Sequence, residues 1–63
     1  MHGRGELQTL GASLEELLAR VTALVEQSGP GTSRDEDLEL VAIERGLAST
    51  LRRVQRLAAR VDD

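Results

Sequence analysis

The chain has 63 residues, of which 30% are charged; its net charge is −3, and it contains neither Cys nor an aromatic residue. Such a length supports one small domain, 1–63, which excludes a large catalytic core. Without cysteines, and with His2 as the one histidine, disulfides and a structural metal are also excluded, so we expect association to stabilise the fold. No apolar run approaches the roughly 20 residues of a membrane span. We therefore expect a soluble, cytoplasmic protein.

The first predicted helix follows from the spacing of large aliphatic residues. Steps of three and four residues separate Leu7, Leu10, Leu14, Leu17, Val21 and Leu24. This is heptad spacing, with Leu7, Leu14 and Val21 at position a and Leu10, Leu17 and Leu24 at position d. Leu18 and Val25 add a third apolar column at position e. The pattern predicts a helix over residues 5–28 with a stripe wider than a two-helix coiled coil requires.

Glycine and capping signals bear on the ends of this helix. Gly11, followed by a Ser13-x-x-Glu16 capping box, offers a competing start at Ser13. The unbroken register of the leucines on either side favours the longer helix. At the other end, Gly29 suits a left-handed position after the helix, and Pro30 cannot continue it.

The second predicted helix covers residues 34–61. A Ser33-x-x-Glu36 capping box and three acidic residues in the first turn mark its start. Its a and d positions are Leu40, Ile43, Leu47, Thr50, Val54, Leu57 and Val61, and its e positions include Leu51 and Ala58. This helix therefore carries the same three-column stripe as the first.

The short loop predicts an all-α antiparallel hairpin whose helices meet along the a and d columns. At the flanking g positions, antiparallel packing would bring Arg20 toward Glu39, and Glu6 toward Arg53 or Arg60. The e columns would stay exposed. We expect a second copy to cover Leu18, Val25, Leu51 and Ala58, forming a homodimeric four-helix bundle. A heteromeric partner helix would serve equally well, and the sequence does not choose.

Catalysis is not expected from this inventory of side chains. The chain lacks Cys, Lys and Tyr, and its one imidazole belongs to His2, the second residue of the sequence. Nucleophile–base pairs and metal-hydrolase sites therefore cannot be assembled within one chain. The paired carboxylates lie in first helical turns, where a capping or dipole role suffices. We expect no enzyme, no cofactor and no metal.

Two patches on the second helix are candidate contact sites. Leu38, Val41 and Ala42 form a small apolar patch outside the predicted seam, suited to a regulatory protein partner or buried by a roll of the helix. Arg45, Arg52 and Arg56 form an outward basic stripe. The stripe fits an anionic ligand, a nucleotide or RNA, or simply a solvated helix end.

Gly46 lies in a row of small residues with Ala42 and Thr50, where another backbone can approach closely. Thr50 places a polar group at a d position, which can fix register or oligomeric state. Together these features predict a non-enzymatic protein–protein interaction module, a small homodimeric regulator or adaptor that binds its partner through the second helix. The alternative is an anion-binding, nucleotide-binding or RNA-binding hairpin that uses the arginine stripe.

Overall fold

The computed structural model describes residues 3–29, 31 and 33–61. Two helices pack against each other, α1 over Arg4–Gln27 and α2 over Arg34–Arg60. The predicted all-α hairpin is confirmed, and all four predicted helix ends are within one residue of the observed ones. The hairpin is a thin rod of 49 × 15 × 14 Å. In the described part of the chain, neither helix is long and apolar enough to cross a membrane.

Helix α1 runs without interruption through Gly11 and Ser13, so the longer of the two predicted helices is correct. It ends at Ser28, whose backbone turns to φ −60° and ψ 133°. The Ser28 N–H donates to Val25 O at 3.2 Å, and its hydroxyl donates to Leu24 O at 3.3 Å. These bonds satisfy end carbonyls that a left-handed residue would otherwise cap. The prediction of a left-handed Gly29 is wrong, because no described glycine has positive φ.

Helix α2 begins as its sequence predicts. Ser33 has extended backbone, and its hydroxyl accepts a hydrogen bond from Glu36 N at 3.1 Å. Asp35, Glu36 and Asp37 fill the first turn, where the helix dipole stabilises negative charge. At the opposite end, Arg60 lies in the last turn, which favours positive charge. Local sequence therefore determines where this helix starts.

Contacts between the helices fix an antiparallel register along the rod. At the open end, the Arg4 guanidinium donates to Val61 O at 3.0 Å. Near the loop, the Thr22 hydroxyl donates to a Glu44 carboxylate oxygen at 2.7 Å. Early residues of α1 therefore lie beside late residues of α2, as a short connection requires.

The seam between the helices uses the a and e columns, so the predicted a and d seam is wrong. Leu51 and Ala58, both at e, are buried and only 9% exposed. Leu18 and Val25, the e residues of α1, are half-buried. The d residues face outward instead: Leu10, Leu17, Leu24, Ile43 and Leu57 are between 45% and 51% exposed.

This rotation of the helices places Gly11 and the b columns at the seam. Gly11 is the buried residue of α1, and a Cβ built on it would lie 3.9 Å from Val54 Cγ1 and 4.0 Å from Leu51 Cδ1, which is ordinary van der Waals contact. The seam therefore has room for a methyl group at this position, and the approach of the helices does not require the glycine. The rotation also brings the b columns of both helices together, where polar side chains hydrogen-bond across the seam.

Candidate interaction surface

One side of the hairpin is a continuous apolar strip formed by the two d columns. We call this side the apolar face; it consists of Leu10, Leu17 and Leu24 from α1 and Ile43, Thr50 and Leu57 from α2. Every one of these residues is exposed. Because the b columns of both helices meet on one side of the seam, the d columns of both must lie on the other. The strip therefore spans both helices.

The register pairs these residues in three levels along the rod. Leu10 lies level with Leu57 near the open end, and Leu24 lies level with Ile43 near the loop. Leu17 and Thr50 share the middle level. The polar hydroxyl of Thr50 is thus at the centre of the apolar face. Within the described chain the Thr50 side chain makes no hydrogen bond, whereas the Thr9 hydroxyl donates to Gly5 O at 3.0 Å.

The opposite side, formed by the b columns, carries hydrogen bonds between the helices. We call it the bridged face; it consists of Gln8, Glu15, Thr22, Val41, Ala48 and Gln55. Gln55 Nε2 donates to Glu15 Oε1 at 3.3 Å, and Thr22 reaches Glu44 just inside this face. Val41, Ala48 and Thr22 are half-buried, whereas Gln8, Glu15 and Gln55 are exposed. Side-chain hydrogen bonds therefore join the helices on the bridged face, and the described residues of the apolar face make none.

The residues predicted to contact a second copy divide between these locations. Leu51 and Ala58 are enclosed within the hairpin, and Leu18 and Val25 line its seam. Gly46 is exposed, and a Cβ added to it would meet nothing within 4 Å. Thr50 is exposed on the apolar face. The close approach of a partner expected at Gly46 stays a prediction, since within the hairpin no atom of α1 comes near this position.

The patch at the start of α2 is split by the roll of the helix. Leu38 is 61% exposed, and Ala42 is exposed beside it. Val41 is half-buried on the bridged face. The hairpin itself therefore turns Val41 toward the bridged face and leaves Leu38 outside, while burial of the patch in a dimer stays a prediction.

The rotation of the helices from the predicted seam to the observed one also changes the positions of the charged residues. Arg20 forms an ion pair with Glu16 of its own helix at 3.6 Å rather than the predicted pair with Glu39. In an a and e seam, the g column that holds Arg20 points well away from the other helix. Both partners are more than 70% exposed, so this ion pair contributes little to stability.

Arg45, Arg52 and Arg56 are all exposed on the outer side of α2. Two open grooves lie elsewhere. One, of about 460 Å³, is lined by Arg4, Gln8, Gln55, Ala58 and Ala59. The other, of about 520 Å³, is lined by Gly5, Glu6, Thr9, Leu10 and Ser13. The arginine stripe lines neither of these two grooves.

No group of three or more metal-ligating side chains comes together among the described residues, and His2 lies outside them. Comparison with protein-family models, with curated proteins and with solved structures finds no match to this chain.

Proposed function

We propose that this chain is a non-enzymatic protein–protein interaction module that assembles with a second copy through the apolar face. The product is a four-helix bundle, in which two hairpins bury their d columns against each other. This keeps the homodimeric bundle expected from the sequence and changes the surface that forms it. The d columns replace the e columns, because the hairpin has already used the e columns internally.

The observation that carries the proposal is the large surface left in water, which includes the exposed aliphatic residues of the apolar face. The total accessible surface is 4978 Å², whereas a folded monomer of 6.8 kDa exposes about 4,000 Å² in total. A typical interface removes about 800 Å² from each partner, which is close to this excess of about 1,000 Å². Among the described residues, Leu51 and Ala58 alone form a buried apolar core. A core of this size is too small to stabilise a separate domain, so burial of the apolar face supplies the missing contacts.

In the assembled bundle, Leu38 and Ala42 remain on the outer side of α2. We propose that the module is a small cytoplasmic regulator or adaptor that presents this side of α2 to a partner protein. A large apolar side chain that is 61% exposed is the kind of anchor that helix-in-groove recognition uses. The arginine stripe flanks the same surface and would favour an acidic partner.

The test is sedimentation velocity of the chain from 1 to 200 µM, alongside thermal unfolding followed by circular dichroism. The expected result is a dimer whose unfolding midpoint rises with protein concentration, because dissociation and unfolding are coupled. A chain that remains a folded monomer throughout, with a midpoint independent of concentration, contradicts the proposal.

A further inference from the structure

The apolar face can pair with a second copy in two symmetric ways. A twofold axis along the rod places both loops at the same end, whereas an axis across the rod places them at opposite ends. We propose that the axis runs across the rod at the level of Thr50, so that each loop lies beside the open end of the other copy. This inference rests on the proposed function. The occupant of the apolar face is thus a second copy in reversed orientation.

The distribution of charge along the rod is the first argument. The loop half, residues 21–42, has a net charge of −4, from five acidic residues and one arginine. The open half, residues 3–20 and 43–61, has a net charge of +3, from seven arginines and four glutamates. Counting Asp62 and Asp63, which follow in the sequence, leaves +1. Reversed copies therefore place opposite charges beside each other at both ends, whereas aligned copies place two negative loop halves together.

The hydroxyl of Thr50 is the second, independent argument. It lies at the centre of an otherwise aliphatic face, so assembly removes it from water. In the reversed arrangement, α2 lies over α2 of the second copy, and the twofold axis brings the two Thr50 residues together. Their hydroxyls then hydrogen-bond to each other. In the aligned arrangement each Thr50 instead faces Leu17 of the other copy. Its hydroxyl then leaves water without gaining a hydrogen-bond partner across the interface, which is costly.

The reversed register also matches the remaining levels of the apolar face. Ile43 of one copy lies over Leu57 of the other, and Leu10 lies over Leu24. On the rim of the paired α2 helices, Glu39 lies near Arg60 of the second copy, and Gly46 lies near its Arg53. The empty surface at Gly46 then accommodates the long arginine side chain. This assigns Gly46 a place in the assembly without requiring a backbone contact.

Distance measurements between spin labels test the orientation, since the chain has no native cysteine. A nitroxide attached to Arg34→Cys marks the loop end on a residue away from the apolar face. In the reversed dimer two such labels are about 48 Å apart along the rod, from 32 residues at 1.5 Å rise. In the aligned dimer they lie at the same end and give a distance below about 30 Å. A label at Arg52→Cys, near the middle, gives a short distance in both arrangements and serves as the control.

Oxidative cross-linking then tests the register. Thr50→Cys is expected to form a disulfide-linked dimer under mild oxidation, and Leu57→Cys alone is not. A mixture of Ile43→Cys and Leu57→Cys chains is expected to yield the mixed disulfide. Cross-linking of Thr50→Cys with Leu17→Cys, together with a short Arg34 label distance, would overturn the inference while leaving the dimer intact. If sedimentation shows no dimer, the result would instead contradict the proposed function on which the inference rests.

Discussion

The apolar face and the bridged face flank the same seam, yet they differ in what they leave to a partner. On the bridged face, side chains of α1 and α2 satisfy each other: Gln55 donates to Glu15, and Thr22 donates to Glu44. On the apolar face, the hairpin leaves about half of the surface of Leu10, Leu17 and Leu24 in water. Polar columns can close a pair of helices because hydrogen bonds need only two partners, whereas aliphatic columns need surrounding atoms on every side. The hairpin is therefore complete on one side only.

The largest effect should come from a charge placed on the apolar face. We expect Leu17→Glu to weaken dimerisation at least 100-fold, because it removes about 1.5–3 kcal/mol of apolar burial from each copy and places two carboxylates in the interface. Sedimentation equilibrium measures the change. Ala19→Glu, which adds the same charge at an exposed position of the same helix, is the control and should assemble normally. Equal behaviour of the two variants would mean that the apolar face is not an interface.

A smaller effect is expected inside the seam. Leu51→Ala should lower the free energy of unfolding by about 2–3 kcal/mol, since Leu51 is buried between the helices. Leu38→Ala, the same change at an exposed position of α2, should cost no more than about 0.5 kcal/mol. Urea unfolding at fixed protein concentration gives both values. If Leu38→Ala is the more destabilising, the seam has been wrongly assigned.

Replacing Gly11 and replacing Gly46 by Ala should affect assembly differently, although each change raises helix propensity. Gly11→Ala places a methyl at ordinary contact distance from Val54 and Leu51, so we expect about 1 kcal/mol of added stability. Gly46→Ala meets no atom within 4 Å in the hairpin and should add a similar amount to the fold. In the reversed dimer, however, it narrows the space for Arg53 of the second copy. A lower dimer affinity for Gly46→Ala, measured by sedimentation, would separate it from Gly11→Ala.

The smallest effect is expected on the bridged face. Thr22→Val removes the hydroxyl that donates to Glu44 and keeps the shape of the side chain, so it should cost about 0.5–1.5 kcal/mol. Under conditions where the chain is fully folded, its dimer affinity should not change, because the bridged face lies away from the second copy. A loss of assembly without a loss of hairpin stability would place the interface on this face instead.

The helices and their ends could be predicted from the sequence because their causes are local. The Ser33 capping box, the acidic first turn and the heptad spacing each act within a few residues, so α2 begins where those residues predict. The end of α1 was predicted at the right place for an incomplete reason. Ser28 satisfies the end carbonyls with its own N–H and hydroxyl, and a left-handed Gly29 is not needed.

The choice of seam could not be predicted in the same way. A stripe of three apolar columns contains two possible seams, and both bury similar aliphatic side chains. Gly11 in the e column is no signal for this seam, since a Cβ there would meet Val54 and Leu51 at ordinary contact distance. The choice depends on how α1 packs against Leu51 and Ala58, which are far away along the chain.

By itself, then, the sequence determined that this protein is a two-helix hairpin with more apolar surface than the hairpin can cover, because helix formation and heptad spacing are properties of neighbouring residues. Only the tertiary structure decided which of the three apolar columns remains exposed to solvent. The rotation of each helix depends on contacts between α1 and α2, namely the burial of Leu51 and Ala58 and the hydrogen bonds across the bridged face, and these exist only once the helices have met.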